Sequence, residues 1–180
     1  MKTTMLFFFF VALFGCINLL AEENTDTEQK HIIGATVGLQ YPRINDEMGD
    51  GGDIFYRHCI SSSPSAYYNK LYLSVDIGYA HFKNNEYIPI TSGLHLYKKF
   101  GRYCRYYNIK IGALYKKEEK TFDKNSYDIK IKMLANFAIG YLIPLSKLSE
   151  SLDLDINVQS YLIFKDNPMG KFSVGLSYSF

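Results

Sequence analysis

The chain has 180 residues, with 20 Lys and Arg against 18 Asp and Glu, a length that predicts a single domain. Its near-neutral charge and pI of about 8.3 exclude the strongly basic footprint of a nucleic-acid-binding domain. A hydrophobic content of 47% excludes an intrinsically disordered chain, so a packed fold is expected.

Residues 1–21 predict a secretory signal peptide rather than a folded element. Lys2 supplies a positive charge, Met5 to Leu20 is almost wholly apolar, and Ala21 precedes an acidic, polar stretch over 22–30. The alternative, an uncleaved anchor, needs about 20 apolar residues, and this run is shorter. Leu13-Phe14-Gly15-Cys16 resembles a bacterial lipobox, in which Cys16 would carry lipid; Phe14 departs from the small residue of that pattern. Either route takes the protein out of the cytoplasm, and Cys59 and Cys104 then enter an oxidising compartment if the host is Gram-negative.

From residue 31 onward the hydrophobic period is two, which predicts strands. In chain order they run His31 to Tyr41, Asp53 to Ile60, Tyr67 to Phe82, Tyr87 to Tyr97, Cys104 to Tyr115, Tyr127 to Ile143, Leu152 to Phe164 and Lys171 to Phe180. The second of these is the weakest, and the last alternates strictly. Turn-forming sequences separate them, among them MGDGGD, KNNE, KKFGR and KDNPMG. Eight strands without crossover helices predict an all-β fold: a closed eight-stranded antiparallel up-and-down barrel spanning 31–180.

Alternation alone leaves open which face is inside. A soluble lipocalin-like ligand-binding barrel buries its apolar face, whereas a transmembrane barrel turns that face to lipid. Gly34, Gly38, Gly78, Gly93, Gly112, Gly140 and Gly175 all fall on the polar face. Glycine weakens a solvent-facing strand, but inside a narrow barrel it makes room for long side chains. The apolar face carries no charge along the strand cores. Tyr41, Tyr79, Tyr115 and Phe172 fall toward one rim, with Tyr107, Tyr141, Tyr178 and Phe180 toward the other, as interfacial aromatics do. These features favour the transmembrane barrel.

The chain therefore resembles the small eight-stranded outer-membrane β-barrel proteins (OmpX/OmpA-like transmembrane barrels) of Gram-negative and related bacteria. The most telling piece is the last strand, in which Phe172, Val174, Leu176, Tyr178 and Phe180 form an alternating, aromatic-terminated run. The resemblance implies that this run is the signal for the barrel-assembly machinery, that outer-membrane lipids surround the barrel, and that both termini lie in the periplasm. It also implies that loops 42–52, 83–86, 116–126 and 165–170 face outside, where a host or cell-surface ligand would bind. The role implied is structural, adhesive or protective; a monomer without a cofactor is expected, and the charge balance excludes nucleic acid as a partner.

On the inward parity fall Arg57, Lys70, Lys110, Lys130 and Lys132, with Asp76, Asp153 and Asp155. Confined charges must pair or be hydrated, so a salt-bridge network filling the lumen is predicted. Extending the 115–127 hairpin places Lys110 opposite Lys132. Cys59 and Cys104 share the inward parity but lie on strands that are not neighbours, so no disulfide is expected. An outer-leaflet lipid-modifying enzyme, a lipid A deacylase or acyltransferase, is the alternative function. His81-Phe82-Lys83-Asn84 resembles the His-x-Ser-Asn motif of the deacylases, yet Lys83 replaces the nucleophile and His81 has the lipid-facing parity. His95 points inward with no partner readable in the sequence, His31 and His58 read as isolated, and no HxH or HExxH spacing predicts a metal. The acidic run Asp46–Asp53 lacks EF-hand spacing and reads as a solvated turn, and Lys116–Lys120 reads as a wet loop tip.

Overall fold

The computed structural model describes residues 31–42, 48–62, 70–82, 85–120 and 123–180. The predicted leader with Cys16, the segment 22–30, and Lys83 and Asn84 lie outside them. Among the described residues, eight strands follow one another: β1 (His31–Pro42), β2 (Gly49–Ser61), β3 (Lys70–Phe82), β4 (Asn85–Phe100), β5 (Tyr103–Lys120), β6 (Asp123–Pro144), β7 (Leu152–Ile163) and β8 (Met169–Ser179). Each pairs antiparallel with the next, and β8 pairs back onto β1, closing the barrel. Closure leaves no sheet edge along the barrel wall, which an open meander of these apolar strands would expose. We call the end where His31 and Phe180 meet the near end, and the end of the β1–β2, β3–β4, β5–β6 and β7–β8 connections the far end.

Two predicted loops are shorter than their sequences suggested. The 116–126 loop is mostly hairpin, with β5 running to Lys120 and β6 starting at Asp123. Lys116 to Glu118 stay in the ladder with partners in both β4 and β6, and Lys117 faces Glu86 with Nζ 3.2 Å from Oε2, whereas Glu119 and Lys120 pair with β6 alone. Likewise β2 starts at Gly49, because Gly51 and Gly52 pair with β1 on one side and β3 on the other. Backbone bonding on both flanks offsets the entropy that glycine loses in a strand.

A register shift between Glu119 and Lys120 corrects the cross-strand pairing. Lys110 lies opposite Asn136, and Lys132 lies opposite Leu114, so the expected like-charge pair does not form. The slip is even-numbered and leaves each side chain on its predicted face. At the near end, Gly101 adopts φ +58° as the first central residue of the two-residue turn between β4 and β5. That position in a tight hairpin favours glycine.

The inward side chains form three levels. Ile32, Phe55, Tyr72, Tyr97, Tyr106 and Leu142 form an apolar cluster at the near end. Ala80, Phe82, Leu114, Leu134, Tyr161, Ile163 and Met169 form another at the far end. Polar and charged residues occupy the middle. Glycines make room for the rings: Tyr106 folds over its cross-strand neighbour Gly140, and Phe55 over Gly34. A Cβ at either position would overlap the ring.

Candidate functional site

Six charged residues are buried in the middle level: Arg57, Lys110 and Lys171 with Asp53, Asp76 and Asp155. They are balanced three against three, and each has an opposite partner. Arg57 donates through Nη1 to Tyr97 Oη at 2.5 Å, and its Nη2 lies 3.5 Å from Asp155 Oδ2. Asp155 also accepts from Tyr106 Oη at 2.7 Å and Asn157 Nδ2 at 3.0 Å. The guanidinium lies over the Phe55 ring, 3.7 Å from its centroid. Lys110 bonds Asp76, which Ser74 also bonds. Lys171 donates to Asp53 Oδ2 at 2.5 Å, and Gln159 Nε2 reaches the same oxygen at 3.2 Å. Gln159 donates to Asn157 at 3.0 Å, so one chain of polar contacts runs from Lys171 to Arg57.

The remaining sequence-predicted interior charges lie elsewhere. Lys132 sits at the far end, 2.5 Å from Asp166 in the β7–β8 turn. Lys130 is exposed on the hairpin beyond it, 3.5 Å from Asp128. Lys70 and Asp153 are half-buried at the near end. The inward parity holds for all of them, but β6 extends past the barrel wall, and parity does not encode height. Sequence reasoning missed Asp53 and Lys171, which begin predicted strands. Extending the alternation of Ile54 and Phe172 by one residue would have placed both inside.

His95 is fully buried opposite Asn108, between the rings of Tyr97 and Tyr106. Neither of its ring nitrogens has a hydrogen-bond partner, so it has no base-orienting carboxylate. His81 lies at the far end, with Nδ1 3.8 Å from Asp50 Oδ1. Cys59 and Cys104 are free thiols packed against the near-end cluster. Among the described residues, no group of three or more His, Cys, Asp or Glu is placed to hold a metal.

The outward face is a belt of apolar side chains. Ile77, Ile109 and Val158 are each more than 50% exposed, as isolated core residues of a soluble domain would not be. Tyr41, Tyr79, Tyr115 and Phe172 border the belt toward the far end, with Tyr107, Tyr141 and Tyr178 toward the near end. Between them the described outward strand positions carry no Lys, Arg, Asp or Glu. Charge resumes outside the borders, at Asp50, Glu86 and Lys117 on one side and Lys98 and Arg105 on the other. Arg105, which the sequence reading left unassigned, lays its guanidinium over Tyr107 and Tyr141 at 4.8 and 5.8 Å from their centroids. From Tyr107 to Tyr115 the strand covers roughly 27 Å at about 3.4 Å per residue. A tilt of about 40° reduces this to roughly 21 Å of height, close to the ~25 Å apolar band of outer-membrane barrels.

No protein-family model matches the sequence, and no curated protein matches it. Solved structures do match in fold. Neisserial surface protein A has a TM-score of 0.66 at 10% identity, covering 87% of this chain and all of that one. The outer membrane enzyme PagL has a TM-score of 0.56 at 11% identity over 83% of this chain and 99% of its own. Ail, the attachment invasion locus protein of Yersinia pestis, has a TM-score of 0.55 at 13% identity over 84% of this chain and 97% of its own. The fold is that of the eight-stranded outer-membrane β-barrels.

Proposed function

We propose that the protein is an integral outer-membrane barrel with a sealed interior, acting at the cell surface through its far-end hairpins rather than as an enzyme. The observation that carries this reading is the charge-free apolar belt, bordered on both sides by tyrosines and then by charges. In water such a belt would be a large exposed apolar surface. In a bilayer it is the lipid contact, and Arg105 stacks on interfacial rings while its charge reaches the headgroups. The paired charges between two apolar clusters support a lumen that passes no solute. The long β5–β6 hairpin, which extends beyond β7, supports a surface-contact role. Export through residues 1–21 completes the reading.

Fractionation tests it. The protein should stay in the membrane pellet through carbonate and urea washes and should migrate faster on gels when unheated. Release by the washes together with no heat-dependent shift would overturn the membrane assignment in favour of a soluble ligand-binding barrel. A second reading, a lipid-modifying enzyme, draws on the contact between His81 and Asp50 and on the fold shared with PagL. Turnover of lipid A or phospholipid by refolded protein in micelles, lost on His81→Gln or His95→Gln, would replace the non-enzymatic reading.

A further inference from the structure

His31 and His58 face each other across β1 and β2 at the near end, on the outward side. Their rings lie 4.9 Å apart, and the two Nδ1 atoms approach to 3.3 Å. Tyr56, two residues before His58 on the same face, brings its hydroxyl within 2.7 Å of His31 Nδ1. The backbone of His31 is pinned by two reciprocal 2.9 Å hydrogen bonds with Phe180, whose ring stacks on the imidazole. Two further donor atoms thus approach His31 Nδ1, on strands whose register is fixed.

Protons alone satisfy this arrangement poorly. An imidazole Nδ1 carries either one hydrogen or one lone pair, never both. His31 Nδ1 is approached by two partners and can bond only one of them well. Protonating both rings would set two N–H groups head to head. A cation between the nitrogens removes the conflict, because each then directs its lone pair at the same centre. With bonds of about 2.0–2.1 Å and tetrahedral angles, two nitrogen ligands of one Zn²⁺ stand about 3.3–3.4 Å apart. The observed separation matches that ligand-to-ligand distance.

We propose that His31 Nδ1 and His58 Nδ1 form a binding site for a borderline divalent cation of the Zn²⁺, Ni²⁺ or Cu²⁺ class. Imidazole suits these ions, and it suits Mg²⁺ and Ca²⁺ poorly. Water completes the shell because His58 is exposed, and the Tyr56 hydroxyl, at hydrogen-bond distance from His31 Nδ1 rather than at ligand spacing, is placed to hold one of those waters. The two-histidine chelate would tie β1 to β2 beside the β1–β8 seam. The site lies at a barrel end that is wet whether or not a bilayer surrounds the belt, so it stands apart from the membrane reading.

The test uses tag-free, refolded full-length protein in detergent micelles, stripped of metal and titrated with Zn²⁺ by calorimetry. One ion should bind per chain. His31→Gln and His58→Gln should each weaken binding by at least about tenfold, since even the loss of a partner outside the coordination shell costs that much. His81→Gln should leave it unchanged. Nitrogen-15 spectra of the wild-type histidines supply a readout independent of variant folding. Zn²⁺ should move the Nδ1 resonances of His31 and His58 and leave those of His81 and His95 in place. Equal affinity in the His31→Gln, His58→Gln double variant, no saturable binding, or shifts confined to His81 would each overturn the proposal.

Discussion

At the scale of single residues, the interior balance of three buried cations and three buried carboxylates constrains what can be changed. Asp155 takes Arg57, Tyr106 and Asn157 at once. Asp155→Leu strands the Arg57 guanidinium and should destabilise the barrel by about 3 kcal/mol or more, because an uncompensated buried charge costs several kcal/mol. Adding Arg57→Met should restore most of the loss, and urea unfolding in micelles measures both. Outside the membrane-spanning part, Asp166 behaves differently. Burial alone would raise its pKa, but the bond from Lys132, the Asn167 N–H and the charges of Lys132 and Lys116 outweigh that and hold it below the usual value. A carboxylate with a depressed folded pKa contributes stability above its unfolded value of about 3.9 and loses it as pH falls through the folded value. Wild type should therefore exceed Asp166→Asn in thermal stability near neutrality, and the two should converge below about pH 4.

At the scale of elements, the β5–β6 hairpin stands apart from the wall. Beyond Leu134, β6 has no ladder partner in β7, and beyond Glu118, β5 has none in β4. Removing 119–127 and joining the arms through a short turn should leave the heat-dependent gel shift and the unfolding midpoint close to wild type, while abolishing any surface contact the hairpin makes. The alternation revealed the strands on which this hairpin is built, Cys104 to Tyr115 and Tyr127 to Ile143, but not its extension over 116–126. Period two assigned the strand cores and both faces from sequence, because burial on one side leaves a mark at every second residue. It could not assign lengths where pairing overrides propensity, as at Gly49–Gly52 and Lys116–Lys120. Nor could it assign height along the barrel axis, which depends on tilt and register. That is why Lys130 and Lys132 read as lumenal and Arg105 went unassigned. The histidine pair was also invisible, since it joins residues on two strands whose register depends on the intervening turn.

At the scale of the whole molecule, the outer belt and the polar middle invert the arrangement of a soluble domain. Val158 is 53% exposed at mid-belt. On a soluble barrel, Val158→Lys would alter stability by only a few tenths of a kcal/mol. Facing a bilayer midplane it should cost about 2–4 kcal/mol. Comparing the variant's unfolding midpoint in lipid vesicles with wild type separates these outcomes.

The seam between β1 and β8 has a kinetic consequence. Every other ladder joins consecutive strands through a local hairpin, so seven of the eight form without long-range search. The eighth brings together the most distant described parts of the chain, ending in the reciprocal bonds of His31 and Phe180. The loop-closure entropy of that step cannot be offset until the other seven ladders exist. Before it, the sheet has two live edges, each able to recruit a strand from another chain. Ring closure removes both edges at once, and amide exchange along the β1–β8 ladder should be the last to gain protection during assembly.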